Sequence, residues 1–170
     1  MDADTHQPRQ LISVTEIRRR LGSRAPVNTA IEAAGLALSD SEVPDGAPVV
    51  ITGEVESISD GVVLTGVVGV DWRGQCRRCL GPVTGRAEVE VREIWELNPT
   101  EGETWPLDHD HIDVGPLLHD TALLALPLAP LCGPDCAGPA PESYPATVAK
   151  PDDDAPPRDP RWAALDDLEL

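Results

Sequence analysis

The chain has 170 residues and a formal net charge of −17, with 30 Asp and Glu against 13 Lys and Arg. A chain of this length can bury one substantial core, so we expect a single domain with polar tails. The negative charge argues against a surface that binds nucleic acid indiscriminately, because phosphate contacts require clustered basic residues.

The N-terminal part predicts a polar lead followed by a short helix. Residues 1–9 predict a disordered lead and lack the basic and apolar regions of a secretory signal. A capping-box spacing that begins at Ser13 predicts a helix over 14–21. That helix carries a basic run which forms either a solvated face or an RNA-facing one, Arg18, Arg19 and Arg20. Residues 23–47 show no clear pattern.

Three strands are predicted in the middle of the chain, at 48–58, 62–72 and 83–97. In the first and third, apolar residues alternate with polar ones, which is the period of a half-buried strand. The second is richer in Val and Gly and is expected to be more buried. An Asp-Gly turn joins the first two strands. The pattern predicts an antiparallel meander whose second connection holds Cys76 and Cys79.

An apolar helix is predicted over 115–126, after an acidic loop at 98–110. Because most of its faces are apolar, we expect it at the centre of the core, with His119 as a core or boundary residue. The apolar run is shorter than the roughly 20 residues that a membrane span needs. His109 and His111 could ligate a metal or act as catalytic groups, but a solvated loop is the preferred interpretation.

The elements together predict an α+β fold, an antiparallel β-meander packed against one central apolar helix, with short N- and C-terminal helices. The single domain is expected over 10–138, followed by a Pro- and Asp-rich linker over 139–158. Residues 159–170 predict a short docking helix, because Asp and Pro precede apolar residues at helical spacing. Its candidate partner-docking residues are Trp162, Leu165 and Leu168.

The four cysteines form two closely spaced pairs, and each spacing suits a tetrahedral thiolate site for zinc: Cys76, Cys79, Cys132 and Cys136. We expect a cytoplasmic protein, in which thiols stay reduced and paired cysteines indicate a metal more than a disulfide framework. The alternative is that the pairs do not meet and the cysteines pack as small apolar residues. A redox Cys-x-x-Cys is disfavoured because no strand-helix-strand unit surrounds it.

Positive charge is concentrated beside the first cysteine pair. Residues 71–92 hold five arginines against three acidic residues. The candidate RNA-binding residues near the cysteines are therefore Arg73, Arg77 and Arg78. The N-terminal run Arg18, Arg19 and Arg20 completes the set of candidates.

The chain shows no motif for catalysis. It has no phosphate-cradling glycine loop, no nucleophile elbow and no defined acid/base pair. We therefore expect no enzyme activity and no small-molecule substrate.

Four sequence blocks, in their order, resemble the YceD family of large ribosomal RNA subunit accumulation proteins. The blocks are Cys76-Arg-Arg-Cys79-Leu, Ala125-Leu-Pro127-Leu-Ala-Pro-Leu-Cys132, Asp-Cys136-Ala-Gly138 and Asp159-Pro-Arg161-Trp162-Ala-Ala-Leu165. The resemblance covers about residues 10–168. It implies a bacterial cytosolic protein needed for accumulation or processing of large-subunit ribosomal RNA, and it implies binding of metal and nucleic acid.

The chain departs from the family pattern after the second cysteine pair. Many relatives continue with two further cysteines, where this chain has Ala140 and Ser143. Four cysteines remain, which is the number that a single zinc ion needs. We therefore favour one site made by these four over a site that has lost part of its ligands.

Two functions from different classes are expected. The first is a noncatalytic assembly factor that binds large-subunit ribosomal RNA or its precursor beside a zinc site. The second is an acidic protein-protein interaction module without RNA contact, which docks on a ribosomal protein or a processing nuclease through the terminal helix.

Overall fold

Most of the described chain is β-structure. The computed structural model describes residues 8–140 and 142–143, with 47% of them in strands and 11% in helices. The residues up to Cys136 belong to one compact unit, and Ala137 begins a second. In chain order the elements are β1 (Leu11–Ser13), α1 (Thr15–Arg18), β2 (Arg24–Glu32), β3 (Ala37–Leu38), β4 (Ser41–Glu42), β5 (Pro48–Ser57), β6 (Gly61–Gln75), β7 (Pro82–Glu96), β8 (Trp105–Asp108), β9 (His111–Asp113) and α2 (Gly115–Ala125).

The three longest strands, which the sequence pattern predicts, form the centre of the sheet. β6 pairs antiparallel with β7 along its whole length, from Gly61 opposite Glu96 to Gln75 opposite Pro82. β5 pairs with the first part of β6, and β4 pairs with its end. The sheet continues from β5 to β2, and from β7 through β8 and β9 to β1. It curls into a half-barrel.

The predicted α+β architecture, a meander on one central helix, is wrong. The described residues form a nine-stranded sheet, and α2 is one element packed against β2, β5, β6 and β7. Residues 23–47 gave no pattern because β2 places Ala25 and Thr29 on the same face as the buried Val27 and Ile31. Small and polar residues on the inner face weaken the apolar alternation, so pairing with β5 determines this strand.

Close contact between β5 and β6 depends on two glycines. Gly53 lies opposite Gly66 in the antiparallel register. A Cβ on Gly66 would lie 2.6 Å from the carbonyl oxygen of Thr52, and one on Gly53 would meet the backbone of Thr65. The two strands therefore approach more closely here than a pair of side chains would permit.

A buried tryptophan anchors the core on the β7 side. Trp95 is fully buried and stacks on Trp105 with ring centroids 6.3 Å apart. The Trp105 indole N–H donates a hydrogen bond of 2.9 Å to the Glu93 carboxylate, which satisfies the polar edge of that ring. Other large side chains in the same core are Leu36, Ile51, Leu64, Ile112 and Leu118.

The N-terminal helix is shorter than predicted, and the capping box does not form. α1 has four residues, no side chain caps its start, and the Ser13 hydroxyl lies 3.0 Å from the Thr15 hydroxyl. Ser13 belongs to β1 and pairs with His111. Ser13 therefore pairs within the sheet and does not cap the helix as its sequence position predicts.

Several predicted segments fall wholly or partly outside the described residues. These include most of the N-terminal lead and nearly all of the linker over 139–158. The terminal helix over 159–170, with Trp162, Leu165 and Leu168, lies entirely outside them. Across the part that the structure describes, no helix has the length and apolar character needed to cross a membrane.

Candidate metal centre and neighbouring arginines

The first cysteine turn, residues 76–81, connects β6 and β7. Because these strands pair up to Gln75 and Pro82, the turn forms the tip of a long hairpin. The N–H of Cys76 donates to the Gly81 carbonyl at 2.8 Å, and the N–H of Leu80 donates to the Cys76 carbonyl at 2.8 Å. Leu80 closes the turn with φ of 58°, a left-handed conformation that is unusual for leucine. Sequence reasoning did not anticipate this strained position.

The second cysteine turn, residues 132–136, follows α2 and is tied to the first. The Ser41 hydroxyl donates to the Pro127 carbonyl at 2.8 Å, which fixes the chain leaving α2 against β4. The N–H of Arg77 then donates to the Pro130 carbonyl at 2.9 Å. Two long-range hydrogen bonds therefore bring both turns to one place, although 52 residues separate Cys79 from Cys132.

The structure brings the four predicted cysteines together. Their sulfur atoms all lie within 4.8 Å of one another, and all four thiols are free. The Sγ atoms of Cys76 and Cys136 are 3.7 Å apart, and those of Cys79 and Cys132 are 3.8 Å apart. Tetrahedral zinc with Zn–S bonds of about 2.3 Å has sulfur–sulfur edges of about 3.8 Å. The cluster therefore has the donor set and spacing of a four-thiolate metal site.

The four thiols differ in exposure and in acidity. Cys76 is buried and Cys132 is exposed, while the other two are half-buried. Backbone hydrogen bonds from Cys79, Cys132 and Arg78 lower the pKa of Cys76 to about 6. Hydrogen bonds with the sulfurs of Cys136, Cys76 and Cys79 raise the pKa of Cys132 to about 12. These pKa shifts apply to the four thiols in the absence of a metal ion. A bound divalent cation would favour the thiolate form at all four positions.

The three candidate arginines near the cluster are not equivalent. Nε and Nη2 of Arg73 both lie 2.7 Å from Oε1 of Glu42, so this side chain links β6 to β4. Arg77 and Arg78 are exposed between the cysteines of the first turn. The N–H of Arg78 also donates to Sγ of Cys76 at 3.4 Å. Within residues 8–140 and 142–143, neither of these two guanidinium groups has an ion-pair partner.

The N-terminal arginines are partly engaged elsewhere. Arg18 donates to the Asp110 carboxylate at 3.0 Å and to the His109 carbonyl at 2.6 Å. Arg19 pairs with Glu16 at 3.2 Å, whereas Arg20 is exposed without an ion pair among the described residues. Arg18 and Arg19 therefore have local partners on the protein.

The histidines do not join the cysteine cluster. His109 is exposed and its ring lies 2.7 Å from the adjacent Asp108 carboxylate, while His111 is an exposed residue of β9. His119 on α2 has a largely buried side chain, and its ring nitrogen lies 3.0 Å from Asp120. In the described part of the chain, the cysteines are the one group of three or more potential ligands.

A cavity beside the first cysteine turn was not predicted. It has a volume of about 630 Å³ and lies between the β3–β4 hairpin and the ends of β6 and β7. Its polar lining includes Asp40, Glu42, Arg73, Gln75 and Thr84. It depends on the pairing of β4 with β6, which no local sequence signal indicates.

The chain is similar in sequence to several mycobacterial proteins. The chain is 30% identical over 162 residues to the uncharacterized protein Rv2926c of Mycobacterium tuberculosis, covering 91% of this chain and 78% of the relative. The same values hold for the uncharacterized protein Mb2951c of Mycobacterium bovis. The uncharacterized protein ML1660 of Mycobacterium leprae is 28% identical over 166 residues, covering 93% of this chain and 76% of the relative. No solved structure matches the chain.

A family model shows which protein family the chain belongs to. Residues 64–169 match the family described as large ribosomal RNA subunit accumulation protein YceD. This match spans more than half of the chain and includes all four cysteines. The resemblance drawn from the cysteine and C-terminal blocks is confirmed: the chain belongs to the YceD family of large ribosomal RNA subunit accumulation proteins.

Proposed function

We propose that the protein is a noncatalytic accessory factor in assembly of the large ribosomal subunit. In this role it supports accumulation or processing of large-subunit ribosomal RNA, as the family description suggests. The observation that carries the proposal is the position of Arg77 and Arg78, two exposed guanidinium groups within a turn of the four-cysteine cluster. We further infer a cytoplasmic location, which is where such a role would be performed.

The proposed metal is zinc. Four cysteine sulfurs at tetrahedral spacing form a donor set that zinc prefers, and four-coordinate sites of this kind are structural. The residues that would hold it are Cys76, Cys79, Cys132 and Cys136. Their role is to fasten the hairpin tip of β6 and β7 to the chain that follows α2, because each turn supplies two of the ligands.

The zinc proposal is tested on the purified, reduced full-length chain. Metal analysis should find about one zinc per chain, and serine at Cys79 or Cys132 should weaken zinc binding so that the purified variants contain well below one zinc per chain. A chelator should lower the melting temperature of the parent protein but have little effect on these variants. Absence of stoichiometric zinc from the parent protein would refute the proposal.

Arg77 and Arg78 are proposed to contact RNA phosphates. The backbone N–H of Arg77 donates to the Pro130 carbonyl and that of Arg78 to the Cys76 sulfur. The backbone from which both side chains extend is therefore held in place. Arg73 contributes less, since its guanidinium group is already bonded to Glu42. The acidic remainder of the protein would repel RNA elsewhere and favour this orientation.

A second role for these two arginines must be separated from RNA binding. Four thiolates around one divalent cation leave a net negative charge, which adjacent guanidinium groups would offset.

The double variant Arg77→Ala/Arg78→Ala should retain zinc but lose roughly tenfold or more in association with ribosomal RNA, measured by crosslinking in cells. The double variant Arg24→Ala/Arg92→Ala removes the same charge from β2 and β7 and should bind like the parent. Equal RNA association in both double variants would disprove the RNA contact.

The alternative function is an acidic protein-protein interaction module without RNA contact. The engagement of Arg18, Arg19 and Arg73 in ion pairs favours it, because fewer cationic groups remain for phosphate. The expected partner is a basic ribosomal protein or a processing nuclease, and the docking residues predicted at 159–168 lie outside the described part of the chain. Protein crosslinks without RNA adducts near Arg77 would support this alternative.

A further inference from the structure

The four cysteines are not equally accessible to a reagent in solvent. Cys132 is exposed, Cys79 and Cys136 are half-buried, and Cys76 is buried. If all four are thiolates around a metal, accessibility rather than protonation separates their reactivity toward an oxidant. Cys132 is therefore the position that an oxidant reaches first.

Two short contacts between sulfur atoms join the two turns. Sγ of Cys132 lies 3.8 Å from Sγ of Cys79, and Sγ of Cys136 lies 3.7 Å from Sγ of Cys76. The exposed thiol consequently has a half-buried neighbour on the other turn, in position to react with it. This arrangement supplies both a reactive and a resolving cysteine.

We propose that the cluster is also a peroxide-reactive site, at which Cys132 is oxidised first and Cys79 then forms a disulfide with it. The proposal rests on the metal site proposed above, because the metal keeps both sulfurs as thiolates. It adds a covalent modification and a regulatory property to a site that otherwise fastens the fold.

The reaction needs one peroxide and two protons. The Cys132 thiolate attacks a peroxide oxygen, the O–O bond breaks, and the departing hydroxide takes up a proton to become water. The Cys79 thiolate then attacks the Cys132 sulfur, the S–O bond breaks, and the second hydroxide is protonated. Two sulfurs together lose two electrons, hydrogen peroxide is reduced to two waters, and one disulfide forms.

The position of this disulfide decides its effect on the protein. It removes two of the four metal ligands, so the metal would be lost, but it joins the first turn to the second. The disulfide then links the two turns covalently close to the hydrogen bond from the Arg77 N–H to the Pro130 carbonyl. A disulfide within either turn would also remove ligands but would form no covalent link between the turns. The cross-turn disulfide therefore releases metal while keeping the hairpin tip attached.

The test uses the zinc-loaded, full-length chain with hydrogen peroxide as the probe. Zinc release is followed with a colorimetric chelator, and the disulfides are mapped by mass spectrometry after free thiols are alkylated. We expect loss of about one zinc per chain, sulfenic acid trapped at Cys132, and a Cys79–Cys132 disulfide before any other. Reduction should restore zinc binding.

The outcomes separate this inference from the proposed metal site. Zinc content before oxidation tests the metal site alone. A first disulfide within one turn, initial oxidation at Cys76, or peroxide treatment that leaves zinc in place would overturn the oxidation proposal.

Discussion

At Cys76, burial and hydrogen bonding act in opposite directions, and hydrogen bonding dominates. Backbone donors lower the pKa of this thiol to about 6, although the side chain is buried. The exposed Cys132 lies in the same cluster, yet thiol neighbours raise its pKa to about 12. Sequence spacing identified both residues as candidate ligands, but it carried no information on this difference.

The lowered pKa of Cys76 predicts a change in the pH dependence of zinc binding. Metal binding displaces protons from thiols, so affinity should fall as pH falls. Above about pH 6 Cys76 is already a thiolate, whereas below this pH it must also lose a proton on binding. The logarithm of the association constant plotted against pH should therefore be steeper by about one unit below pH 6. Competition with a chelator of known pH dependence measures this slope.

The control for that prediction is Cys76→Ser, which retains three cysteines. Its weaker zinc binding should show no change of slope near pH 6, because the titrating group has been removed. A single straight line for the parent protein, or the same break in the variant, would contradict the assignment to Cys76.

Among the elements, the close contact between β5 and β6 depends on two glycines. Both strands are visible in the sequence, β5 as an alternating segment and β6 as a segment rich in Val and Gly, and their antiparallel pairing follows from the short turn between them. The requirement for glycine at 53 and 66 is not visible locally, because it arises only when the two backbones lie face to face.

Gly66→Ala should destabilise the protein by about 1–3 kcal/mol. Its added methyl group would meet the Thr52 carbonyl and the Gly53 backbone, so one strand must shift. The neighbouring Thr65→Val changes an exposed residue of the same strand and should alter stability by about 0.5 kcal/mol or less. Denaturant unfolding of both variants measures the difference, and equal stabilities would show that the close approach is unimportant.

Over the whole molecule, the charge distribution limits how RNA can bind. The net charge is −17, and Arg18, Arg19 and Arg73 are paired with carboxylates. The exposed pair at Arg77 and Arg78 is therefore a local cationic feature on an acidic protein. RNA binding through Arg77 and Arg78 should depend on the position of these two residues more than on the net charge of the protein.

Salt dependence tests this view of the whole molecule. Two phosphate contacts with single-stranded RNA predict that the association constant falls with salt with a logarithmic slope of about −1.4 or shallower. Repulsion from the acidic surface would flatten the slope further at low salt. Replacing Arg77 and Arg78 with alanine should bring the slope close to zero. A slope several times steeper for the parent protein would indicate additional cationic contacts.

The sequence by itself determined the features that depend on neighbouring residues. These are the three central strands, the apolar helix near 115–126, the two cysteine pairs and the family. Local periodicity and short spacings carry that information because side-chain direction repeats within one element. The architecture was predicted wrongly, since β2, β8 and β9 carry weak local signals and are determined by their partners.

Only the tertiary structure decided that the two cysteine pairs meet. Their approach requires β4 to hold the chain after α2 through Ser41, and the first turn to bond the Pro130 carbonyl. It also decided which arginines are exposed and which cysteine faces solvent. These properties arise from contacts between residues far apart in the chain, and no spacing within a single element encodes them.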